Sequence, residues 1–168
     1  ADTAAVNAAA VRARAAHLAW RELPLRKRLE VVAKFQHILA ERKREIATVI
    51  TSEAGKPLPE ALLTEVLVVL DAARFLLQKS YAFLQDESVA HGSLATKAKR
   101  GRVLREPYGV VGIISPWNYP FAIPGVQVLT AVVAGNAVVL KPSELTPFSS
   151  LKIAELLSSA GLPPGVLE

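Results

Sequence analysis

Apolar positions recur with helical spacing through the first half of the chain and then give way to short continuous runs. Residues 3–21 read as an Ala-rich helix ending before Pro24. Between Leu25 and Ala54, Leu29, Val32, Phe35, Leu39, Ile46 and Val49 fall on one helical face, with lysines and arginines opposite. Gly55 followed by Pro57 is a strong stop. A third helix is predicted from about Pro59 to Gln85. Leu62, Leu63, Val66, Leu67, Val69, Leu70, Phe75, Leu76 and Leu77 leave it little polar face, so it should be nearly enclosed, beneath a body larger than three helices could provide.

From Asp86 to Arg102 the helical pattern is lost and the chain becomes polar, with Gly92 and Gly101 as breaks. Arg102 to Glu106 alternates weakly, as an edge strand ended by Pro107 would. The pattern then becomes β-α-β-α. Val110 to Ile114 is a continuous apolar run, as expected of a strand buried on both faces. Pro116 to Pro120 makes a turn, Ile123 to Ala134 a helix stopped by Gly135-Asn136, and Ala137 to Leu140 a second buried strand. Thr146 is the expected N-cap of a helix with Pro147 at its first position, running to about Ser159. Gly165-Val166-Leu167 resembles the start of a third strand. A parallel sheet ended there would have a long unpaired edge, so the chain reads as unfinished.

From Pro107 to Leu140 there is no Asp, Glu, Lys, Arg or His, so this stretch must be buried in lipid or in a protein core. Its length would allow a membrane span, which takes about 20 apolar residues. Three prolines, four glycines and the amides of Asn118, Gln127 and Asn136 interrupt it, and each break would need its backbone satisfied inside lipid. A strand–turn–helix–strand in a soluble core fits better, and no membrane partner is expected.

Composition adds limits. With 51% hydrophobic and 21% charged residues the chain is globular, and its length suits a single core. The net charge of +5 raises nucleic acid or a small anion as a partner. The charge is scattered, however. Arg42-Lys43-Arg44 lies between Glu41 and Glu45 as a solvated helix face would, and Arg26-Lys27-Arg28 is the one uninterrupted basic triplet. Both read as surface, and no nucleic-acid partner is expected. Cysteine is absent, which excludes disulfides and thiolate metal sites. The chain begins at Ala1 and has no Met, as a processed form or a piece of a longer protein would. No signal peptide is evident, and an ordinary first helix is favoured over a mitochondrial presequence, so a cytoplasmic location is expected. His17 and His37 lie on helices and His91 in a loop, with no local metal-ligand pair, so no metal site is expected.

In an open parallel sheet, ligands bind beyond the carboxyl ends of the strands. Ser115 to Asn118 ends the first strand and Lys141 to Glu144 the second, so both should face one crevice. Glu144 could accept hydrogen bonds from ribose hydroxyls. Lys141 could donate to the same ribose or lie near phosphate, and Trp117 offers a flat apolar surface and an indole N–H. The Asn118 amide could donate to an oxygen gaining negative charge. Each also has an ordinary structural reading: Asn as turn former, Trp as core, Lys-Pro-Ser-Glu as a helix start. The spaced-glycine dinucleotide fingerprint is missing, since Gly109 and Gly112 precede the strand end. From spacing alone a nucleotide site is plausible and no more.

The run Glu106-Pro107-Tyr108-Gly109-Val110-Val111-Gly112-Ile113-Ile114-Ser115-Pro116-Trp117-Asn118-Tyr119-Pro120 resembles the signature of the aldehyde dehydrogenase superfamily. The likeness continues through Ala134 to Glu144 and Gly161 to Val166, and more weakly upstream at Trp20 to Pro24, Arg28 and Glu53 to Pro57. It implies oxidation of an aldehyde to a carboxylic acid with NAD, or NADP, by way of a cysteine thiohemiacetal and a thioester. By resemblance, Asn118 is the catalytic oxyanion donor. Ser115, Pro116, Trp117, Lys141, Pro142, Ser143 and Glu144 are expected to bind the cofactor, with Lys141 and Glu144 on the adenosine ribose. Glu144 favours NAD, because a carboxylate repels a 2′-phosphate.

The expected fold is α/β. A helical layer (1–85) precedes a polar connector or edge strand (86–107), a candidate for oligomerisation. The beginning of a Rossmann-like cofactor-binding domain (108–168) follows, ended at about its third strand. A homo-oligomer, dimer or tetramer, is expected of the complete protein, with a small-molecule aldehyde as substrate. Without cysteine the chain itself lacks the nucleophile and is expected to be inactive. The favoured reading is the N-terminal part of a complete enzyme. A truncated, non-catalytic nucleotide-binding or assembly relative and a basic helical interaction domain are the alternatives.

Overall fold

The computed structural model describes residues 2–90, 92, 93, 95 and 99–168, so the position of His91 lies outside the described residues. Helix α1 (Thr3–Arg21) is capped by Asp2, whose carboxylate accepts from the Ala5 N–H at 2.7 Å. It lies against the sheet. His17 Nδ1 is 3.1 Å from the Gly135 carbonyl, and the Trp20 indole N–H donates to the Val132 carbonyl at 2.9 Å.

The long second helix predicted over Leu25–Ala54 is two helices, α2 (Leu25–Glu41) and α3 (Lys43–Ala54). The break has no Pro or Gly. Arg42 leaves helical geometry, and its guanidinium binds Glu45 at 2.6 Å and Glu155, far along the chain, at 2.5 Å. The basic cluster read as a plain solvated face is therefore a joint. Likewise Arg28, in the triplet read as surface, is partly buried, and burial lowers its pKa. Gly55 ends α3 in the left-handed conformation, as the sequence predicts.

The third predicted helix starts with α4 (Leu58–Ala61), widens into a π-turn over Leu62–Val66, and continues as α5 (Leu67–Leu84). The extra residue of the π-turn lets Glu65 and Val66 both face inward, between Ala61 on one side and Val69 and Ala73 on the other. Enclosure of this helix is not observed. Leu63, Leu67, Val68, Phe75 and Phe83 are exposed, because the described chain covers only one side of it.

A two-stranded antiparallel ribbon follows: β1 (Glu87–Val89) and β2 (Gly101–Val103), with Ser88 opposite Arg102. The edge strand expected at Arg102–Glu106 thus sits earlier, and Arg105 instead ties the ribbon to Gln85 and Glu87.

The charge-free stretch folds as strand, turn, helix and strand: β3 (Val110–Ile114), α6 (Ala122–Val133) and β4 (Ala137–Lys141). The two strands are parallel, with Val110 opposite Ala137 and Ile114 opposite Lys141. Helix α7 (Pro147–Ser159) follows, and Leu167 bridges to Val138 in parallel as a third strand begins. This is the mixed α/β start of a Rossmann-like sheet. Burial of β3 on both faces does not hold: Ile113 is buried but Ile114 is 80% exposed, since β3 pairs only with β4 among the described residues. The core joins Trp20, Phe35, Leu39, Ile46 and Ile50 to Phe121, Leu129, Ile153 and Leu157, so helices and sheet share one interior. No described helix is long and apolar enough to cross a membrane.

Candidate active site

The strand ends bring the two predicted segments together. Ile114 pairs with Lys141, and the Ser115 N–H donates to the Lys141 carbonyl at 3.1 Å. Both turns therefore leave the sheet side by side. Ser115 is buried, and its hydroxyl has no partner. Pro116 is half-buried, Trp117 is 57% exposed, and Asn118 is exposed with no hydrogen bond on its carboxamide among the described residues. At the second turn the Lys141 ammonium binds the Glu144 carboxylate at 2.9 Å, both in solvent. The hydrogen bond from Lys141 holds the Glu144 carboxyl below its usual range, so it is an acceptor throughout neutral pH. Pro142 is half-buried. Ser143 is buried, and its hydroxyl accepts from the Leu145 N–H at 3.2 Å, which shapes the turn.

Two glutamates that sequence reasoning did not single out hold these turns. Glu65 is fully buried, and its carboxylate accepts from the N–H groups of Phe121 and Ala122 at 2.8 and 3.1 Å. It also pairs with Lys56 at 2.7 Å, whose ammonium sits 3.5 Å from the centroid of the Tyr119 ring. Glu53 accepts from the Phe148 and Ser149 N–H groups at 2.8 and 2.6 Å and from the Ser149 hydroxyl at 2.6 Å. The expected N-cap, Thr146, does not cap: its buried hydroxyl is unpartnered, and Glu53 supplies the carboxylate instead. The readable signals were Glu65 as the sole charge between Leu62 and Leu70, and Glu53 at the head of the weaker stretch of family likeness that runs to Pro57.

These caps have a chemical consequence. A helix N-terminus attracts phosphate through its free N–H groups. At α6 and α7 a carboxylate already accepts from two N–H groups at each start, in keeping with the absence of a spaced-glycine fingerprint. Among the described residues there is no group of three His, Cys, Asp or Glu that could hold a metal. A groove of about 610 Å³ lies elsewhere, along β3 and α6, lined by Val111, Ile113, Val126 and Thr130.

The aldehyde dehydrogenase family model matches residues 1–168. The chain belongs to the aldehyde dehydrogenase family. N-succinylglutamate 5-semialdehyde dehydrogenase of Chromobacterium violaceum is 40% identical over 168 residues, covering 99% of this chain and 33% of the relative. The crystal structure of an aldehyde dehydrogenase from Bartonella henselae matches with a TM-score of 0.90 at 31% identity, over 98% of this chain and 34% of that one. A Cys-to-Ala mutant of aldehyde dehydrogenase C from Pseudomonas syringae, solved with NAD+ and octanal, matches with a TM-score of 0.84 at 34% identity, over 98% of this chain and 32% of that one. The chain thus spans about a third of the length of these relatives.

Proposed function

We propose that this chain is the cofactor-side, N-terminal part of an NAD-dependent enzyme that oxidises an aldehyde to a carboxylic acid, with NADP as the alternative cofactor. The observation that carries the reading is the Asn118 carboxamide, exposed and unpartnered on a turn anchored before it at Ser115 and after it at Tyr119, Pro120 and Phe121. Such a donor has no structural partner to lose. It is free to donate to the oxygen of an aldehyde as that oxygen becomes an oxyanion, and because the turn is already fixed, little reorganisation is needed.

The residues present fit a dinucleotide. Lys141 and Glu144 place a donor and an acceptor beside each other at the end of β4, as vicinal ribose hydroxyls require. Trp117 and Pro116 give an apolar wall, and the orphaned Ser115 hydroxyl offers a further polar contact. Pro142 and Ser143 hold the turn that carries the pair. The nicotinamide cofactor, when bound, supplies the hydride acceptor. The chain has no cysteine, so the thiolate that forms the thiohemiacetal and thioester comes from outside these 168 residues. Oligomerisation of the complete protein is supported by exposed Val89, Val103 and Leu104 on and beside the β1–β2 ribbon.

Asn118→Ala in the complete enzyme tests the reading. Turnover is expected to fall about 10²–10³-fold with NAD affinity little changed. Turnover within a few-fold of the parent would remove the oxyanion role. The 168-residue chain alone is expected to reduce no NAD when mixed with aldehyde.

A further inference from the structure

Both helices that follow the crevice turns lack a cap of their own. Phe121 precedes α6 and offers no side-chain acceptor, and the Thr146 hydroxyl before α7 is unused. Both caps come from one short connector, Glu53 to Glu65, which runs from the end of α3 through Gly55-Lys56-Pro57 into the π-turn. Glu53 seats the N-terminus of α7 and Glu65 that of α6. Adjacent serines in the first turn of α7 link the two halves. Ser149 donates to Glu53, while Ser150 donates to the Pro120 carbonyl at 2.7 Å.

The turn carrying Asn118 is therefore fixed at four points. Ser115 N–H is held by Lys141, the Tyr119 ring by Lys56, the Pro120 carbonyl by Ser150, and the Phe121 N–H by Glu65. Three of these four lie immediately C-terminal to Asn118. The turn carrying Lys141 and Glu144 is joined to Glu53 through the first residues of α7.

We propose that Glu65 and Glu53 are positioning residues with divided tasks: Glu65 sets the oxyanion donor Asn118, and Glu53 sets the ribose-binding pair Lys141 and Glu144. The inference rests on the function proposed above, and neither glutamate touches substrate. A carboxylate suits the task because it accepts two N–H bonds at once and complements the helix N-terminus. The π-turn suits it too, since the added residue turns Glu65 into the interior without ending the helix.

The division predicts a split that plain loss of packing would not give. In the complete enzyme, Glu65→Gln should lower kcat about 10- to 100-fold, the cost of misplacing a catalytic group by about an ångström, with the Kd for NAD within about threefold of the parent. Glu53→Gln should raise the NAD Kd about 5- to 10-fold, the worth of a hydrogen bond, with saturating kcat within about threefold. In an Asn118→Ala background the Glu65→Gln effect on kcat should vanish, because it acts through Asn118, and Glu65→Asp should restore part of the rate in the native background.

Equal losses from Glu65→Gln with and without Asn118 would overturn the proposal, as would both glutamate variants moving kcat and Kd alike. If Glu65→Gln does not fold, Ser150→Ala removes a single bond to the same turn. It should lower kcat about threefold to tenfold, again only while Asn118 is present, and an unchanged kcat would count against the proposal. Failure of the underlying function shows separately: Asn118→Ala alone would then leave turnover unchanged.

Discussion

Removing the fully buried Glu65 carboxylate leaves the N–H groups of Phe121 and Ala122 without their acceptor and the largely buried Lys56 ammonium with only the Tyr119 ring. Breaking one side of a buried ion pair costs about 3–5 kcal/mol, so Glu65→Ala should lose stability on that scale in urea unfolding. The pair itself is not what the fold needs. Replacing both partners of a buried pair with apolar residues is often close to neutral. Lys56→Met with Glu65→Met should therefore recover part of the loss, yet retain about 1–3 kcal/mol for the two uncapped N–H groups. Full recovery would mean that water reaches the α6 N-terminus and that the cap is dispensable. Asn118, Lys141 and Glu144, the residues proposed for the site, could be singled out from the sequence because they sit in short runs with recognisable chemistry. The roles of Glu53 and Glu65 could not be read there, because their partners lie 95 and 56 residues away for Phe148 and Phe121.

Helix–helix contact in the layer above the sheet depends on one small residue. Gly125 on α6 faces Val69 on α5, and a Cβ there would stand 2.9 Å from one Val69 methyl and 3.4 Å from the other. Val69 is β-branched and stiff at χ1, with its Cβ itself 3.8 Å away, so Gly125→Ala should crowd α5 against α6. Overpacking of this kind costs about 1–3 kcal/mol, and Val69→Ala in the same chain should return part of it, measured as the shift in thermal midpoint. Composition and punctuation foretold α1, α6, β4 and α7 nearly to the residue: an Ala-rich run before Pro24, a helix stopped at Gly135-Asn136, a short apolar run, and a helix entered at Thr146-Pro147. Apolar spacing failed at Arg42 and at the π-turn. At Arg42 the helix is redirected by a bond to Glu155 on another element, and heptad spacing from Leu39 to Ile46 hides the joint. At Leu62–Val66 an inserted residue preserves hydrophobicity on both sides, so no polar signal marks it.

Across the whole molecule, α3 and α7 are clipped together by charges at the surface as well as by Glu53. Arg42 binds Glu45 and Glu155, and Lys152 binds the same two carboxylates at 3.0 and 2.7 Å, forming a closed four-membered network. The bond from Arg42 and that from Lys152 hold the Glu45 carboxyl down to about 2 from its ordinary 4.5. Glu155 is lowered by the same two partners, Lys152 first. A carboxyl whose pKa is depressed by folding stabilises the native state above its unfolded value and loses that contribution as pH falls through the folded one. The window for Glu45 is thus from pH 4.5 down to about 2. Its size must be discounted for exposure, since Glu45 and Glu155 are each 45% accessible, and about 1 kcal/mol is the expected ceiling. Glu155→Gln should be less stable than the parent at neutral pH by that order, and the difference should shrink as pH falls below the ordinary carboxylate range, because Glu155 is itself held down by Lys152 and Arg42 and gives up its contribution on protonation. Added salt should narrow the neutral-pH difference as well, because the network is open to solvent. Denaturant midpoints for the two proteins from neutral pH into this window would check it. A difference that persists at the acid end would mean that Glu155 holds α3 and α7 by packing instead of charge.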